Sequence, residues 1–126
     1  MTTDVLKVVA SGMKALELNY AFMEWKEAPK YPYFVGEYQE VPSASEDGIQ
    51  ECDFILTGWT RGAWSDLEAA KEKIENYFNK ICGRTVIAES GNAVAIFYAN
   101  SLVIPTGEAE LKKIEIHLDI MEWKVN

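Results

Sequence analysis

Apolar residues recur at helical spacing near the start of the chain: Val5, Val9, Met13 and Leu16, with Val8 and Gly12 beside them. One stripe of this kind predicts an amphipathic helix lying on a sheet, with Thr3 as its N-cap. From Asn19 the period changes. Tyr20 and Phe22 against Ala21, Met23 and Trp25 read as the two faces of a strand. Ala28-Pro29-Lys30-Tyr31-Pro32 then breaks the chain, because each proline pushes the residue before it to extended geometry. A second strand is predicted from Tyr33 to Val41, with Phe34 and Tyr38 on one face and Val35 and Val41 on the other. Pro42 to Gly48 is a loop by composition. A third strand runs from Ile49 to Trp59, where Cys52, Phe54 and Leu56 alternate with Glu51, Asp53, Ile55 and Thr57.

Ser65-Asp66-Leu67-Glu68 has the pattern of a capping box and predicts the start of a second helix. Leu67, Ala70, Ile74, Tyr77/Phe78 and Ile81 form its apolar stripe, and Gly83 is the expected left-handed residue that ends it. Thr85 to Ala88 reads as a short strand, and Glu89 to Asn92 as a turn. Ala93–Val103 and Leu111–Trp123 read as two long strands joined around Pro105-Thr106-Gly107. The last alternates Ile114, Ile116, Leu118 and Ile120 with Lys113, Glu115, His117 and Asp119. The order helix, strands, helix, strands predicts one α+β domain over residues 1–126. Both helices are expected on one face of a mainly antiparallel sheet.

The bulk numbers agree with a stable core. A chain of 126 residues buries about two-thirds of the surface that its unfolded form exposes. Its longest apolar runs fall well short of the ~18 residues that a membrane span needs. Met1-Thr2-Thr3-Asp4 lacks the basic and apolar regions of a secretory signal, so the cytoplasm of the producing cell is the expected place of synthesis.

Charge changes the picture more. Between Tyr31 and Thr60 there is no Lys or Arg, while Glu37, Glu40, Glu46, Asp47, Glu51 and Asp53 supply six of a net charge of −8. Because the stretch reads as two strands and a loop, these acids gather on one hairpin that cannot neutralise itself. Such a surface repels nucleic acid rather than collecting it.

Candidate chemistry is sparse. Cys52 and Cys82 fit no metal spacing, and Cys52 has the strand parity of a buried hydrophobe. His117 has Glu115 and Asp119 as same-face neighbours, a set that serves a general base or simply a solvated strand. Glu46-Asp47-Gly48 permits loose Mg²⁺ binding but lacks the spaced acids of a calcium loop, so no cofactor and no dedicated metal site is expected. Gly58 to Trp64 joins the third strand to the second helix. Its Trp59, Arg61 and Trp64 are of the types that anchor interfaces, although Trp64 also suits packing on its own helix. Tyr20, Trp25, Tyr33, Tyr38, Trp59, Tyr98 and Trp123 fall partly on the faces opposite the aliphatic stripes. If two helices cover one sheet face, the other carries aromatic side chains into water, which marks subunit contacts.

Several segments also carry a resemblance when taken in order. An N-terminal helix precedes Tyr31-Pro32-Tyr33-Phe34-Val35-Gly36-Glu37. An acidic loop precedes a strand ending Leu56-Thr57-Gly58-Trp59-Thr60-Arg61-Gly62. A helix opens on Ser65-Asp66-Leu67-Glu68-Ala69-Ala70, and a hairpin closes the chain. Over most of its length the chain resembles the bacteriophage tail-terminator family, which includes tail-completion and tail-to-head joining proteins. The resemblance implies a non-enzymatic ring, usually of six copies, that caps the tail tube. Its partners would be itself, the tube protein and a head or neck protein, with DNA passing through the lumen without specific binding and no membrane involved. It would be assembled in the host bacterial cytoplasm and found in the virion tail. Two alternatives stay open on the residues: an acidic inhibitor or immunity-type protein that mimics nucleic acid, and a small enzyme using His117.

Overall fold

A computed structural model describes residues 2–26, 28, 30–41 and 49–124. In chain order the elements are α1 (Thr3–Ala15), β1 (Asn19–Phe22), β2 (Tyr33–Val41), β3 (Ile49–Thr60), α2 (Trp64–Phe78), β4 (Arg84–Ile87), β5 (Ala93–Ile104) and β6 (Lys112–Trp123). The strands form one six-stranded sheet in the order β1-β2-β3-β6-β5-β4. Every neighbouring pair is antiparallel except β1 with β2. The fold is α+β with a mostly antiparallel, curled sheet.

The register explains where the core sits. Cys52, Phe54, Leu56 and Gly58 of β3 oppose Ile120, Leu118, Ile116 and Ile114 of β6. All of these are buried, as are Val94, Ile96 and Tyr98 of β5 and Phe34 of β2. Val5, Val9 and Met13 of α1 and Leu67, Ala70, Ile74 and Phe78 of α2 belong to the same cluster. Each helix therefore buries the stripe that its spacing predicts, in one cluster with the even-numbered side chains of β3 and β6.

Two polar anchors hold α1 in place. Its N-cap is Thr2, one residue before the expected Thr3, and the Thr2 hydroxyl accepts from the Asp4 N–H at 3.3 Å. The Thr2 N–H also donates to the Glu122 carboxylate at 3.1 Å, and the Thr2 hydroxyl donates to its other oxygen. Glu122 is only 1% exposed. A buried carboxylate is tolerable there because the positive end of the helix faces it. On the other side, Asp4 accepts from Ser90 at 2.8 Å and from Asn92 at 3.1 Å, which ties α1 to the turn between β4 and β5.

Three expectations need correction. The cap of α2 is Ala63, not Ser65. The Asp66 carboxylate reaches back to the Ala63 N–H at 3.3 Å, while Glu68 pairs instead with Lys71 at 3.3 Å. Alanine has no oxygen to return, so only half of a capping box exists. The helix also stops at Phe78, before the expected Ile81. Asn79 turns left-handed (φ 42°), and its side-chain oxygen accepts from the Ile81 and Cys82 N–H groups at 2.8 and 3.1 Å. Ile81 thus leaves the core and is 88% exposed. Finally, β1 ends at Phe22, because Met23 takes a positive φ of 69°, so Met23 and Trp25 are not strand residues.

Gly58 tests the core register. A Cβ added there would lie 2.4 Å from the fully buried ring of Phe34 on the neighbouring strand. Gly58→Ala is expected to lower stability by about 1–3 kcal/mol through overpacking. This would be read as a lower urea midpoint at unchanged m-value. An unchanged midpoint would place Phe34 elsewhere.

Candidate functional site

The odd-numbered residues of β3 and β6 have the opposite parity to the buried core residues and make an outer sheet face. Its composition changes along the strands. At one end Tyr33 of β2 stacks on Trp59 of β3, with ring centroids 5.2 Å apart. Trp25 lies 5.1 Å from Tyr33 and Tyr31 lies 5.5 Å from it, so four rings form a ladder around Tyr33. Cations flank the ladder. The Lys113 ammonium sits 5.7 Å from the Trp59 centroid. Arg61 donates to the Tyr31 hydroxyl at 3.3 Å and pairs with Glu108 at 3.3 Å. At the other end of the face lie Ile49, Met121 and Trp123, brought together by the β3–β6 register.

The middle of the face is acidic. Asp53 of β3 stands opposite Asp119 of β6, and Thr57 stands opposite Glu115. Directly opposed like charges destabilise a strand pair. His117 lies between them and relieves this. Its Nδ1 is 3.2 Å from both Asp53 oxygens, and its Nε2 is 2.7 Å from Glu115 Oε1. Both ring nitrogens can donate only when the imidazole carries its second proton. Burial opposes that charge, but the hydrogen bonds to Glu115 and Asp53 outweigh it, and the His117 pKa is raised above its ordinary value. The arrangement is an ion-paired lock across the two central strands. While the imidazole is protonated, both of its nitrogens donate within this lock. The two nitrogens point to opposite carboxylates, and no group of three metal-ligating side chains converges among the described residues.

The candidate residues named from the sequence are only partly brought together. Trp59 and Arg61 join through Tyr33 and Tyr31, whereas Trp64 stands apart, 44% exposed at the first position of α2. Glu37, Glu51 and Asp53 share the outer face by register, and Glu40 falls on the opposite parity. Glu46 and Asp47, with the loop from Pro42 to Gly48, lie outside the described residues. Tyr20, Tyr38 and Tyr98 fall on the core parity, and Tyr98 is buried. The acids that matter beside His117 include Asp53, from a strand far away in sequence. Aligning Cys52, Phe54 and Leu56 against Ile120, Leu118 and Ile116 by hydrophobic parity was the available signal for it. Cys52 is buried as expected, and burial pushes its thiol up to about 12.

No family model and no curated protein sequence matches the chain. A solved structure does. The chain is similar in fold to a chain from the virion of a native gene transfer agent (GTA) particle. The match covers 90% of this chain and 84% of that one, with a TM-score of 0.65 and 11% sequence identity. At that identity the likeness shows the fold.

The lock has a pH signature. The folded pKa of His117 exceeds its unfolded value of 6.5. The stability it adds is fully present below pH 6.5 and is lost as pH rises through the folded pKa. His117→Gln is expected to cost about 1 kcal/mol at pH 5.5. The difference from the parent should shrink at alkaline pH. Urea unfolding of both proteins across pH 5–9 checks this, and a constant difference would mean that the imidazole acts by packing alone.

Proposed function

We propose that this protein is a non-enzymatic virion subunit that assembles into a ring, caps a phage-type tail tube and joins it to the head or neck. The observation that carries the reading is the fold match to a chain of a GTA virion particle across nine-tenths of the length. The order of elements supports the finer assignment, since the first helix, the strand–helix junction and the closing hairpin on which the resemblance to tail terminators rests are all present. In this reading both helices cover one sheet face and leave the other for assembly.

The outer face supplies two distinct functions. Its aromatic ladder, with Trp59, Arg61 and Tyr33, is the subunit contact, because stacked aromatics and Arg are the side chains that anchor interfaces. Its acidic middle, with Glu37, Glu51, Asp53, Glu115 and Asp119, faces passing DNA. A phosphate backbone slides past such a wall without sticking. A net charge of −8 also opposes association of the free subunits, so salt or Mg²⁺ promotes assembly.

Electron microscopy of the concentrated protein with Mg²⁺ is expected to show closed rings, most of them with six subunits. A protein that stays monomeric with Mg²⁺ and with tail tubes present would remove the ring. Arg61→Glu should weaken assembly more than folding, read by comparing sedimentation with the thermal midpoint. Equal losses in both would make Arg61 a structural residue.

Replacing Glu37 and Glu51 by Gln should ease self-association at low salt. A basic partner docking on these acids would give the opposite sign, with binding weakened by added salt. No change in either direction would leave these acids without an electrostatic role.

A further inference from the structure

We propose that copies of this chain join edge to edge, with β4 of one copy pairing in parallel with β1 of the next, so that the sheet continues across the subunit boundary. This rests on the ring reading above and names the surfaces that would build it.

The sheet has two free ends. Its order stops at β1 on one side and at β4 on the other. Both strands are four residues long. Among the described residues, neither makes a backbone hydrogen bond outward to another element. Edges that must stay alone are blunted by shortness, lysine, proline or an inward charge, and of these the two edges here have shortness alone. Asn19-Tyr20-Ala21-Phe22 has no charge and no proline. Arg84-Thr85-Val86-Ile87 has only Arg84, whose guanidinium lies over the Tyr77 ring at 3.7 Å and donates to the Tyr77 carbonyl at 3.1 Å.

Each edge instead presents apolar side chains. Met23, just beyond β1, is 61% exposed, and Ile87 of β4 is 67% exposed. Beside β4 a groove of about 360 Å³ opens toward α1, lined by Val8, Tyr77, Val86 and Ile87 together with charged groups that include Lys7 and Glu89. It has room for an exposed apolar side chain such as Met23 of an incoming copy. The β1 edge is also continuous with the aromatic ladder, since Trp25 packs on Tyr33 immediately after it.

Strand direction selects a second copy in one orientation. β1 runs parallel to β2, and four successive antiparallel pairings lead from β2 to β4. β4 and β1 therefore point the same way. Joining them in parallel keeps every copy in the same orientation, and a head-to-tail contact between unlike patches closes into a ring when the rotation allows. Such a ring has two different ends, one for a tube and one for a head. Pairing β4 with β4 would instead give a two-fold dimer and leave β1 bare.

The test uses two single variants of the full chain, Met23→Lys and Ile87→Lys. Both side chains are exposed, and circular dichroism and the thermal midpoint confirm that each variant folds. Each alone is expected to sediment as a monomer where the parent assembles. A one-to-one mixture is expected to form a heterodimer and nothing larger. The intact β1 edge of the Ile87→Lys chain meets the intact β4 edge of the Met23→Lys chain, and the outer edges of that pair are both blocked. Rings that survive in both variants would overturn edge pairing while leaving the ring itself standing. Open filaments in the parent that both variants abolish would uphold edge pairing and remove the ring. Dimers formed by Met23→Lys alone, or a parent that is monomeric at every concentration, would overturn the proposal.

Discussion

The pairing of β3 with β6 is the constraint on which the rest of the structure depends. Twelve residues of each strand face each other in unbroken antiparallel register. Side chains alternate between faces, so this one register decides which residues enter the core and which meet water. A slip by one position would expose Phe54, Leu56, Ile116 and Leu118 and bury Asp53, His117 and Glu115. The same register places Glu122 under the start of α1, where the Thr2 backbone and hydroxyl satisfy it. Core, helix anchor and His117 lock are three consequences of one strand pair.

The outer face then follows from the residues of opposite parity on the same strands. Its side chains shield one another: Tyr33 on Trp59, Trp25 on Tyr33, and Lys113 against Trp59. Its centre holds two aspartates in direct opposition, an arrangement that costs stability unless a cation intervenes. His117 intervenes by bonding to Asp53 and Glu115 together. Its worth is greatest when the acids are charged and the imidazole is protonated, which confines the full benefit to mildly acidic conditions. The like-charged pair on this face is thus held by the imidazole between its strands.

Much of the fold was legible in the sequence because its hydrophobic periods are clean. The stripe Val5, Val9, Met13 and the alternation from Ile114 to Ile120 each have one interpretation, and the structure bears them out. The errors sit where local side-chain chemistry outranks periodicity. Asp66 caps α2 from inside the helix, and Asn79 ends it before the stripe does. Met23 leaves β1 early through a backbone angle that no pattern of hydrophobicity encodes. The candidate surface was legible as composition but not as geometry. Trp59 and Arg61 were visible as anchor types, yet their link through Tyr31 and Tyr33 needed the β2–β3 pairing. The two acids that hold His117 come from different strands, so spacing along the chain could reveal only Glu115.

The molecule thus combines a well-filled core, an aromatic and acidic outer face, and two terminal sheet strands that point the same way and, among the described residues, pair with no further strand. These features suit a subunit that is stable alone and completed by its neighbours. Hydrogen–deuterium exchange of the full chain, compared between dilute monomer and concentrated assembly, tests this most directly. Slowed exchange at residues 19–26, 33, 59 and 84–87, with the solvent side of α1 and α2 unchanged, is the expected result. Protection confined to the exposed faces of the helices, with β1 and β4 exchanging as fast as in the monomer, would contradict it.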